Sequence, residues 1–335
     1  MTVLLEWKEK LTRFFGKYEV YIVPVIKFIL ALAVFLLINQ NIGYMKRLSG
    51  MPVTLILALL CAVFPMNAIV VLAALLCIAH LYALSLEVCV VAIVLLLVIV
   101  CLYFRFSPKD GYYTVLTPLA FALHIPYTMP ISVGLLRNPI SVMSVISGTV
   151  VYYFMRGIKE NETLLSGTQE DTAGPSAMSI ALNQLLGNKE MYLVLLTLIL
   201  IAVVVYFVRR LSVNHAWTIA IIAAVLIGLI VLMTGFFLLG IKERMVWIAV
   251  GNIVSGLIAM IQQFLFFNLD YNRTERVQFE DDEYYYYVKA VPKIYVSGKD
   301  KQVRHISHKD RGDKKERISR KALAEEMDID EELLK

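Results

Sequence analysis

The feature that most constrains this chain is a stretch of 52 residues, 53–104, that carries almost no charge. Glu87 and His80 are its only acidic, basic or histidine residues. An apolar run longer than about 18 residues predicts a transmembrane helix, and this stretch is long enough for more than two crossings. The chain as a whole is 59% hydrophobic, above the roughly 45–50% of soluble domains. The sequence therefore predicts an all-α polytopic membrane protein.

Six further apolar segments extend this pattern along the chain. They are residues 22–38, 112–136, 140–155, 191–208, 217–239 and 245–267. Two topologies fit them: eight spans in which prolines only kink the helices, or six spans plus two re-entrant hairpins at 53–84 and 112–136. Basic residues near both ends of the chain favour the cytoplasm for both termini, and both topologies satisfy this because each has an even number of crossings.

The charge pattern divides the chain into three regions. In residues 1–20, Leu4, Trp7 and Leu11 share one helical face, and lysines and Arg13 lie on the rest. This pattern predicts an amphipathic helix in the membrane interface or against the protein's own cytosolic side. Residues 21–267 form the predicted transmembrane domain, with an extracytoplasmic polar loop at 156–190. Residues 268–335 form a predicted cytosolic tail.

Two prolines interrupt apolar sequence in a similar way, 61 residues apart. "AVFPMNAIVV" contains Pro65, and "ALHIPYTMPIS" contains Pro126; each is followed two positions later by a small polar residue. Two such breaks are expected of an inverted repeat whose broken helices build a binding site, although proline also simply bends membrane helices. A broken backbone in lipid must be covered by protein or by a watery cavity. We therefore predict a substrate pathway, whose residues would be Pro65, Asn67, His124, Pro126, Thr128 and Ser132.

The two charge-bearing residues of the 52-residue stretch lie seven positions apart. Ionisable groups inside the membrane are costly and are usually functional. If one helix carried both, His80 and Glu87 would share a face and form a proton-handling pair. If the chain turns between them, they mark a turn that water reaches, and this second interpretation is the better supported.

Motifs of soluble enzymes are absent from the sequence. It contains no phosphate-binding glycine loop, no nucleophile elbow, no zinc-protease motif and no CxxC pair. The four cysteines are spaced singly within apolar spans, which favours packing over a disulfide or a metal site. We therefore expect a protein that is not an enzyme and that uses no cofactor and no metal.

The tail combines β-rich sequence with a strong charge reversal. Valine and tyrosine around an acidic turn predict a β-hairpin near residues 275–296. Residues 289–321 hold twelve Lys and Arg against four Asp and Glu, which favours contact with anionic lipid headgroups. Consecutive tyrosines of a strand point to opposite faces, so Tyr284–Tyr287 are a poor stacking platform and no nucleic acid is expected. Residues 322–335 predict a short acidic helix that docks on a cytosolic protein partner through Leu323, Met327, Leu333 and Leu334.

Two segments, "RTERVQFEDDEYYYYVKAVPKI" and "RRLSVNHAWTIAI", resemble an uncharacterised multi-pass membrane protein family of anaerobic Firmicutes. This resemblance implies a bacterial plasma membrane and no known activity, so it transfers no functional residues.

Two functions remain open from the sequence. The repeated proline break favours a secondary-transporter or permease-like protein for an ion or small solute. The scarcity of charge at mid-membrane favours a non-catalytic scaffold or assembly protein that recruits partners through its cytosolic tail. Either would sit in the lipid bilayer.

Overall fold

In the part of the chain that the structure describes, the regular secondary structure is helical apart from one small hairpin of strands. The computed structural model describes residues 2–166, 176–241, 243–267, 269 and 271–292. Its helices are α1 (Thr2–Ile42), α2 (Met51–Val63), α3 (Asn67–Leu84), α4 (Leu86–Phe106), α5 (Tyr112–Ala122), α6 (Thr128–Leu136), α7 (Val142–Glu160), α8 (Glu162–Ser166), α9 (Ala177–Leu186), α10 (Lys189–Val208), α11 (Ala216–Leu238) and α12 (Met245–Phe266); its strands are β1 (Glu275–Glu280) and β2 (Tyr285–Ala290). The predicted all-α fold with a C-terminal β-hairpin is confirmed, whereas the basic run beyond residue 292 and the acidic helix at 322–335 lie outside the described residues.

Long apolar helices dominate the described part of the chain. Six stretches are long and apolar enough to cross a bilayer, and they include α1, α3, α4, α10, α11 and α12. Only 22–39% of the residues in their apolar windows are buried, so most residues of these windows are exposed or only partly buried. Outward-facing apolar side chains on helices that pair their own backbone suit a lipid environment. The chain is therefore a multi-pass membrane protein.

Helix α1 contains both the predicted amphipathic segment and the first predicted span. Its two helical parts, the predicted interfacial segment and the first span, meet at a kink at Tyr18, whose φ of −114° and ψ of 18° are not helical. Lys8 donates from Nζ to the carbonyl oxygen of Phe264 at 2.9 Å. This contact places the N-terminal segment beside the end of α12, so the two chain ends of the helical domain share one face.

Contacts between helix ends define two faces of the domain. We call the face with Glu160, Glu190 and Arg244 the cavity face; there Lys159 at the end of α7 donates to Asn41 at the end of α1, at 3.0 Å. We call the face with Arg137 and Arg209 the opposite face; there the Arg209 guanidinium donates to the Arg137 carbonyl at 2.8 Å.

Helices α2 and α3 form a hairpin that starts and ends at the cavity face. The Asn39 side chain holds both arms: its Nδ2 donates to Thr54 Oγ1 at 2.9 Å, and its Oδ1 lies 2.9 Å from His80 Nε2. At the tip, Asn67 Nδ2 donates to the carbonyl of Pro108, which follows α4, at 3.3 Å. The tip thus reaches the opposite face, although α2 has only 13 residues, or about 20 Å of helix.

Helices α5 and α6 form a second hairpin, which enters from the opposite face. Arg137, just after α6, pairs with Asp110, just before α5, at 3.0 Å and also donates to Tyr112 at 3.3 Å. The arms have 11 and 9 residues, so they reach about 14–17 Å, roughly half of a 30 Å hydrocarbon core. The hairpin is therefore re-entrant, and the two proline-containing hairpins enter from different faces.

The two prolines at the hairpin tips occupy equivalent turns. Pro65 stands two residues before α3 begins, and Pro126 stands two residues before α6 begins. In each turn the proline carbonyl accepts a hydrogen bond from the backbone N–H three residues later, from Ala68 at 2.9 Å and from Met129 at 3.2 Å. Each proline therefore separates two helices rather than kinking one.

A third proline lies within α5 and is accommodated by a neighbouring helix. Pro118 has no N–H, so it cannot donate to the carbonyl of Thr114 one turn earlier. Gly148 of α7 packs at this point, and a β-carbon on Gly148 would lie 2.6 Å from that carbonyl oxygen. The glycine thus lets α7 pack closely against α5 at the turn that contains Pro118.

The two strands pair antiparallel beyond α12. Val277 faces Val288, and Phe279 faces Tyr286 with ring centroids 4.8 Å apart. Alternate residues share a face, so one face of the hairpin is apolar, and its side chains are exposed. Lys289 donates to the Ser212 carbonyl at 3.4 Å and to the Asn214 side chain in the α10–α11 connector. The hairpin is thereby held at the opposite face.

Candidate functional site

A cavity of about 430 Å³ opens at the cavity face, between the ends of five helical segments. Its floor is the α5–α6 tip, and its walls come from the end of α7, the start of α10, the end of α11 and the start of α12. The lining combines aromatic rings with four charged groups: Phe121, His124, Pro126, Tyr127, Tyr152, Tyr153, Arg156, Glu160, Glu190, Val194, Phe236, Arg244, Trp247 and Ile248. Binding pockets for small molecules typically have this volume and this mixture of apolar walls with few polar groups.

Glu190 is the centre of a charge cluster in this cavity. Its carboxylate accepts hydrogen bonds from Arg156 at 3.2 Å and from Arg244 at 3.0 and 3.1 Å. Tyr153 adds a hydroxyl donor at 3.2 Å. The Glu190 side chain is only 17% exposed, and these donors offset the cost of burying its carboxylate. Arg156 also pairs with Glu160 at 2.8 Å, so two arginines and two glutamates balance each other.

The floor of the cavity is strained backbone at His124. This residue has a φ of 60°, a left-handed conformation that non-glycine residues rarely adopt and that often accompanies function. Its ring centroid lies 5.8 Å from that of Trp247 at the cavity wall. Its carbonyl lies against α12, where a β-carbon on Gly251 would be 2.2 Å from the oxygen. Gly251 therefore sets how closely the tip approaches α12.

Polar side chains continue below the floor along α6. Ser132 donates to the Thr128 carbonyl at 2.7 Å, and its oxygen lies 2.7 Å from the Gln262 side-chain amide of α12. Because serine has one hydroxyl proton, Gln262 must present its NH₂ group to Ser132 when that proton is used on Thr128. Thr128 Oγ1 is buried, and within the described part of the chain it has no hydrogen-bond partner. An unpaired buried hydroxyl lowers the stability of a protein by about 1–3 kcal/mol. A bound polar solute that formed a hydrogen bond with Thr128 Oγ1 would remove this cost.

Helix α6 is enclosed by protein on all sides. Seven of its nine residues are buried, and it packs against α10 and α12. At its C-terminus the Arg209 guanidinium donates to the carbonyls of Leu135 and Arg137. Burial, followed by the neighbouring charge of Arg210, lowers the pKa of Arg209. The broken helix thus has its end groups paired, as lipid requires.

The structure separates the predicted pathway residues into two groups. His124 and Pro126 line the cavity, and Thr128 and Ser132 continue below it on α6. Pro65 and Asn67 instead lie at the tip of the α2–α3 hairpin, and Asn67 bonds to the loop after α4. None of the described hydrogen bonds or ion pairs joins the two tips.

His80 and Glu87 lie on different helices, on either side of a turn at Ser85. His80 accepts the backbone N–H of Met45 through Nδ1 at 3.2 Å, so its Nε2 carries the proton and donates to Asn39. Glu87 accepts the backbone N–H of Met178 at 2.8 Å. Both side chains therefore join loops and helix ends at the cavity face, and no described hydrogen bond links one to the other.

The sequence pattern does not reveal the charged residues that converge on the cavity. Arg156 and Glu190 are the end residues of the predicted polar loop, and Arg244 falls between the apolar segments 217–239 and 245–267. The structure instead places Arg156 inside α7 and Glu190 in the first turn of α10. The available signal was a charge at the border of each apolar segment, but such charges are common at membrane interfaces, and nothing local shows that three of them meet.

Among the described residues, no group of three or more His, Cys, Asp or Glu side chains is arranged to hold a metal ion. Compared with known proteins, the chain matches no family model, no curated protein and no solved structure.

Proposed function

We propose that this protein is a permease-like membrane protein that binds a small polar solute in the cavity above the α5–α6 tip. The observation that carries the proposal is the re-entrant hairpin: interrupted backbone at Pro126 forms the floor of a cavity lined by Glu190 and two arginines. Broken helices near mid-membrane are a recurrent way to build a solute site between two aqueous faces. Transport, rather than catalysis, is the activity we assign.

A route for the solute follows from the polar residues beneath the floor. Thr128, Ser132 and Gln262 lead from the cavity toward the opposite face along α6 and α12. In this conformation Thr128 and Ser132 are buried and Gln262 is half-buried, so the cavity floor is closed toward the opposite face. Movement of the short hairpin against α10 and α12 would uncover them, which gives alternating access around a fixed site.

We further propose that the opposite face is the cytoplasmic face of a bacterial plasma membrane. It carries Lys8, Lys27, Arg209 and Arg210, and Lys289, the first residue of the basic run, contacts the α10–α11 connector there. Basic residues accumulate on the cytoplasmic side, where the tail would meet anionic headgroups. The cavity would then face the outside.

Cysteine labelling tests the transport proposal. In a background without Cys61, Cys77, Cys89 and Cys101, the variants Ile248→Cys, Thr128→Cys and Leu257→Cys are reconstituted in sealed vesicles. A membrane-impermeant thiol reagent is applied to one side at a time. Ile248→Cys probes the cavity wall, Thr128→Cys probes the covered route, and Leu257→Cys is the lipid-facing control on α12.

The transport proposal expects labelling of Ile248→Cys from the cavity face, labelling of Thr128→Cys from the opposite face, and protection of Leu257→Cys. Alternating access would be contradicted if Ile248→Cys reacts with the reagent while Thr128→Cys reacts from neither side.

One observation favours the scaffold as a second function. The apolar face of the β-hairpin is exposed, and a lone two-stranded hairpin is marginally stable in water. A protein partner bound to that face would bury the apolar side chains and stabilise the two strands. Protection of Thr128→Cys together with co-purification of a protein that is lost on Phe279→Ser would support the scaffold.

A further inference from the structure

The charged side chains of the cavity restrict the net charge that a bound ligand can carry. Arg156 and Arg244 supply two positive charges, and Glu160 and Glu190 supply two negative charges. A ligand with a net charge would leave one charge uncompensated in a partly buried site, which is costly. A ligand that carries one charge of each sign adds no such imbalance.

Arg244 is the group best placed to receive a ligand carboxylate. Its side chain is 43% exposed, compared with 22% for Arg156. Both of its hydrogen bonds to Glu190 leave from Nη1, so the Nε and Nη2 donors of the guanidinium point away from that pair. An arginine fork binds carboxylates through two parallel hydrogen bonds.

A ligand ammonium has two kinds of acceptor in the same cavity. Glu190 Oε2 accepts a hydrogen bond from Arg244 alone among the described residues, and Glu160 is half exposed beside it. The wall also carries aromatic rings, including a stacked pair of Phe121 and Tyr152 with centroids 4.4 Å apart. Aromatic faces attract cations. The same rings offer an apolar surface for a side chain.

We propose that the cavity binds a zwitterionic α-amino acid with an aromatic or large apolar side chain, its carboxylate on Arg244 and its ammonium between Glu190 and Glu160. This assignment rests on the proposed permease function and names the class of its substrate. The rings of Phe121 and Tyr127 near the floor and of Phe236 in the wall enclose the side chain.

Fluorescence of Trp247 tests the assignment directly. The sequence has three tryptophans, and Trp7→Phe with Trp217→Phe leaves Trp247, at the cavity wall, as the single reporter. Trp217 stacks on Phe267, an arrangement that phenylalanine retains. The purified full chain in lipid nanodiscs is titrated with L-phenylalanine, phenethylamine and 3-phenylpropanoate, which share one ring and differ in charge.

The assignment expects L-phenylalanine to bind at least about tenfold more tightly than either singly charged analogue. Arg244→Gln should weaken the binding of L-phenylalanine by about tenfold and leave the binding of phenethylamine nearly unchanged. Arg47→Gln, on the same face outside the cavity, should change the affinity for neither ligand.

Equal or tighter binding of an analogue overturns the assignment, as does no response to any of the three ligands at millimolar concentration. Either result leaves the permease function standing if Thr128→Cys is still labelled from the opposite face. Loss of that labelling removes the permease function itself, so the two failures are distinguishable.

Discussion

The carbonyl oxygen of His124 lies against Gly251 so closely that a β-carbon at that glycine would be 2.2 Å away. The backbone of the α5–α6 tip therefore rests directly on α12 at this point. The contact joins the left-handed residue at the cavity floor to the helix that carries Trp247 and Gln262. Any motion of the hairpin must break or slide this contact.

Gly251→Ala should displace the hairpin tip, because the obstacle is backbone rather than a flexible side chain. We expect a loss of about 1–3 kcal/mol in stability, as for overpacked cores, and altered labelling of Ile248→Cys in the cavity. Thermal unfolding in detergent measures the first effect. Gly16→Ala is the control, since nothing lies within 4 Å of a β-carbon there; equal melting of the two variants would show that the contact is not needed.

Arg209→Gln should uncap the end of α6. The guanidinium donates hydrogen bonds to the carbonyls of Leu135 and Arg137. Leaving one of these carbonyls without a donor lowers stability by about 1–3 kcal/mol. Arg210→Gln is a matched control, because the Arg210 guanidinium lies over the Tyr206 ring, 4.3 Å from its centroid, at an exposed position. Thermal unfolding should therefore rank Arg209→Gln well below Arg210→Gln, and the reverse order would contradict the capping role.

Asn39→Ala should loosen the α2–α3 hairpin at the cavity face. It removes the partner of both Thr54 and His80, and His80 is fully buried, so the orphaned Nε2–H costs about 1–3 kcal/mol. Faster hydrogen exchange in both arms of the hairpin should accompany the lower melting point. Gln40→Ala, at the neighbouring exposed position, should change neither quantity.

The turn of the β-hairpin should respond to acid through Asp281. Its carboxylate accepts the backbone N–H groups of Glu283 at 3.0 Å and Tyr284 at 2.7 Å, which lowers the pKa of Asp281 below the ordinary 3.8. The stabilisation is therefore present above pH 3.8 and is lost as the pH falls through the lower pKa of the folded turn.

Asp281 can be followed through the amide resonance of Tyr284 in ¹⁵N-tyrosine-labelled protein. We expect a titration midpoint below 3.8. Asp281→Asn keeps an acceptor but no titrating carboxyl, so its resonance should be flat over this range. A midpoint at or above 3.8 in the unaltered protein would rule out these hydrogen bonds.

Hydropathy was sufficient to predict the fold class, because lipid admits only helices that pair their own backbone. The breaks at Pro65 and Pro126 were also predictable, since proline ends a helix locally. The sequence could not tell a kinked span from a re-entrant hairpin at residues 112–136. That difference depends on the Arg137–Asp110 pair, which joins residues at both ends of the segment.

The cavity was half predictable from the sequence. His124 and Pro126 were found because they interrupt an apolar run. Glu190, Arg156 and Arg244 were not, because each stands at the border of a different span and only tertiary packing brings them together. The repeated proline pattern also suggested one shared site, whereas the Pro65 turn lies at the protein surface and only the Pro126 turn lines the cavity.

The proposed solute site depends most on the re-entrant course of α5 and α6. Labelling single cysteines from one side of the membrane at a time measures that course directly. Lys109→Cys and Asn138→Cys flank the hairpin, Lys10→Cys marks the opposite face, and Lys189→Cys marks the cavity face; all four positions are exposed. We predict that Lys109→Cys and Asn138→Cys react from the same side as Lys10→Cys, and that Lys189→Cys reacts only from the other side. Reaction of Lys109→Cys and Asn138→Cys from opposite sides would mean that the segment crosses the membrane as one kinked helix, and the cavity would lose its floor.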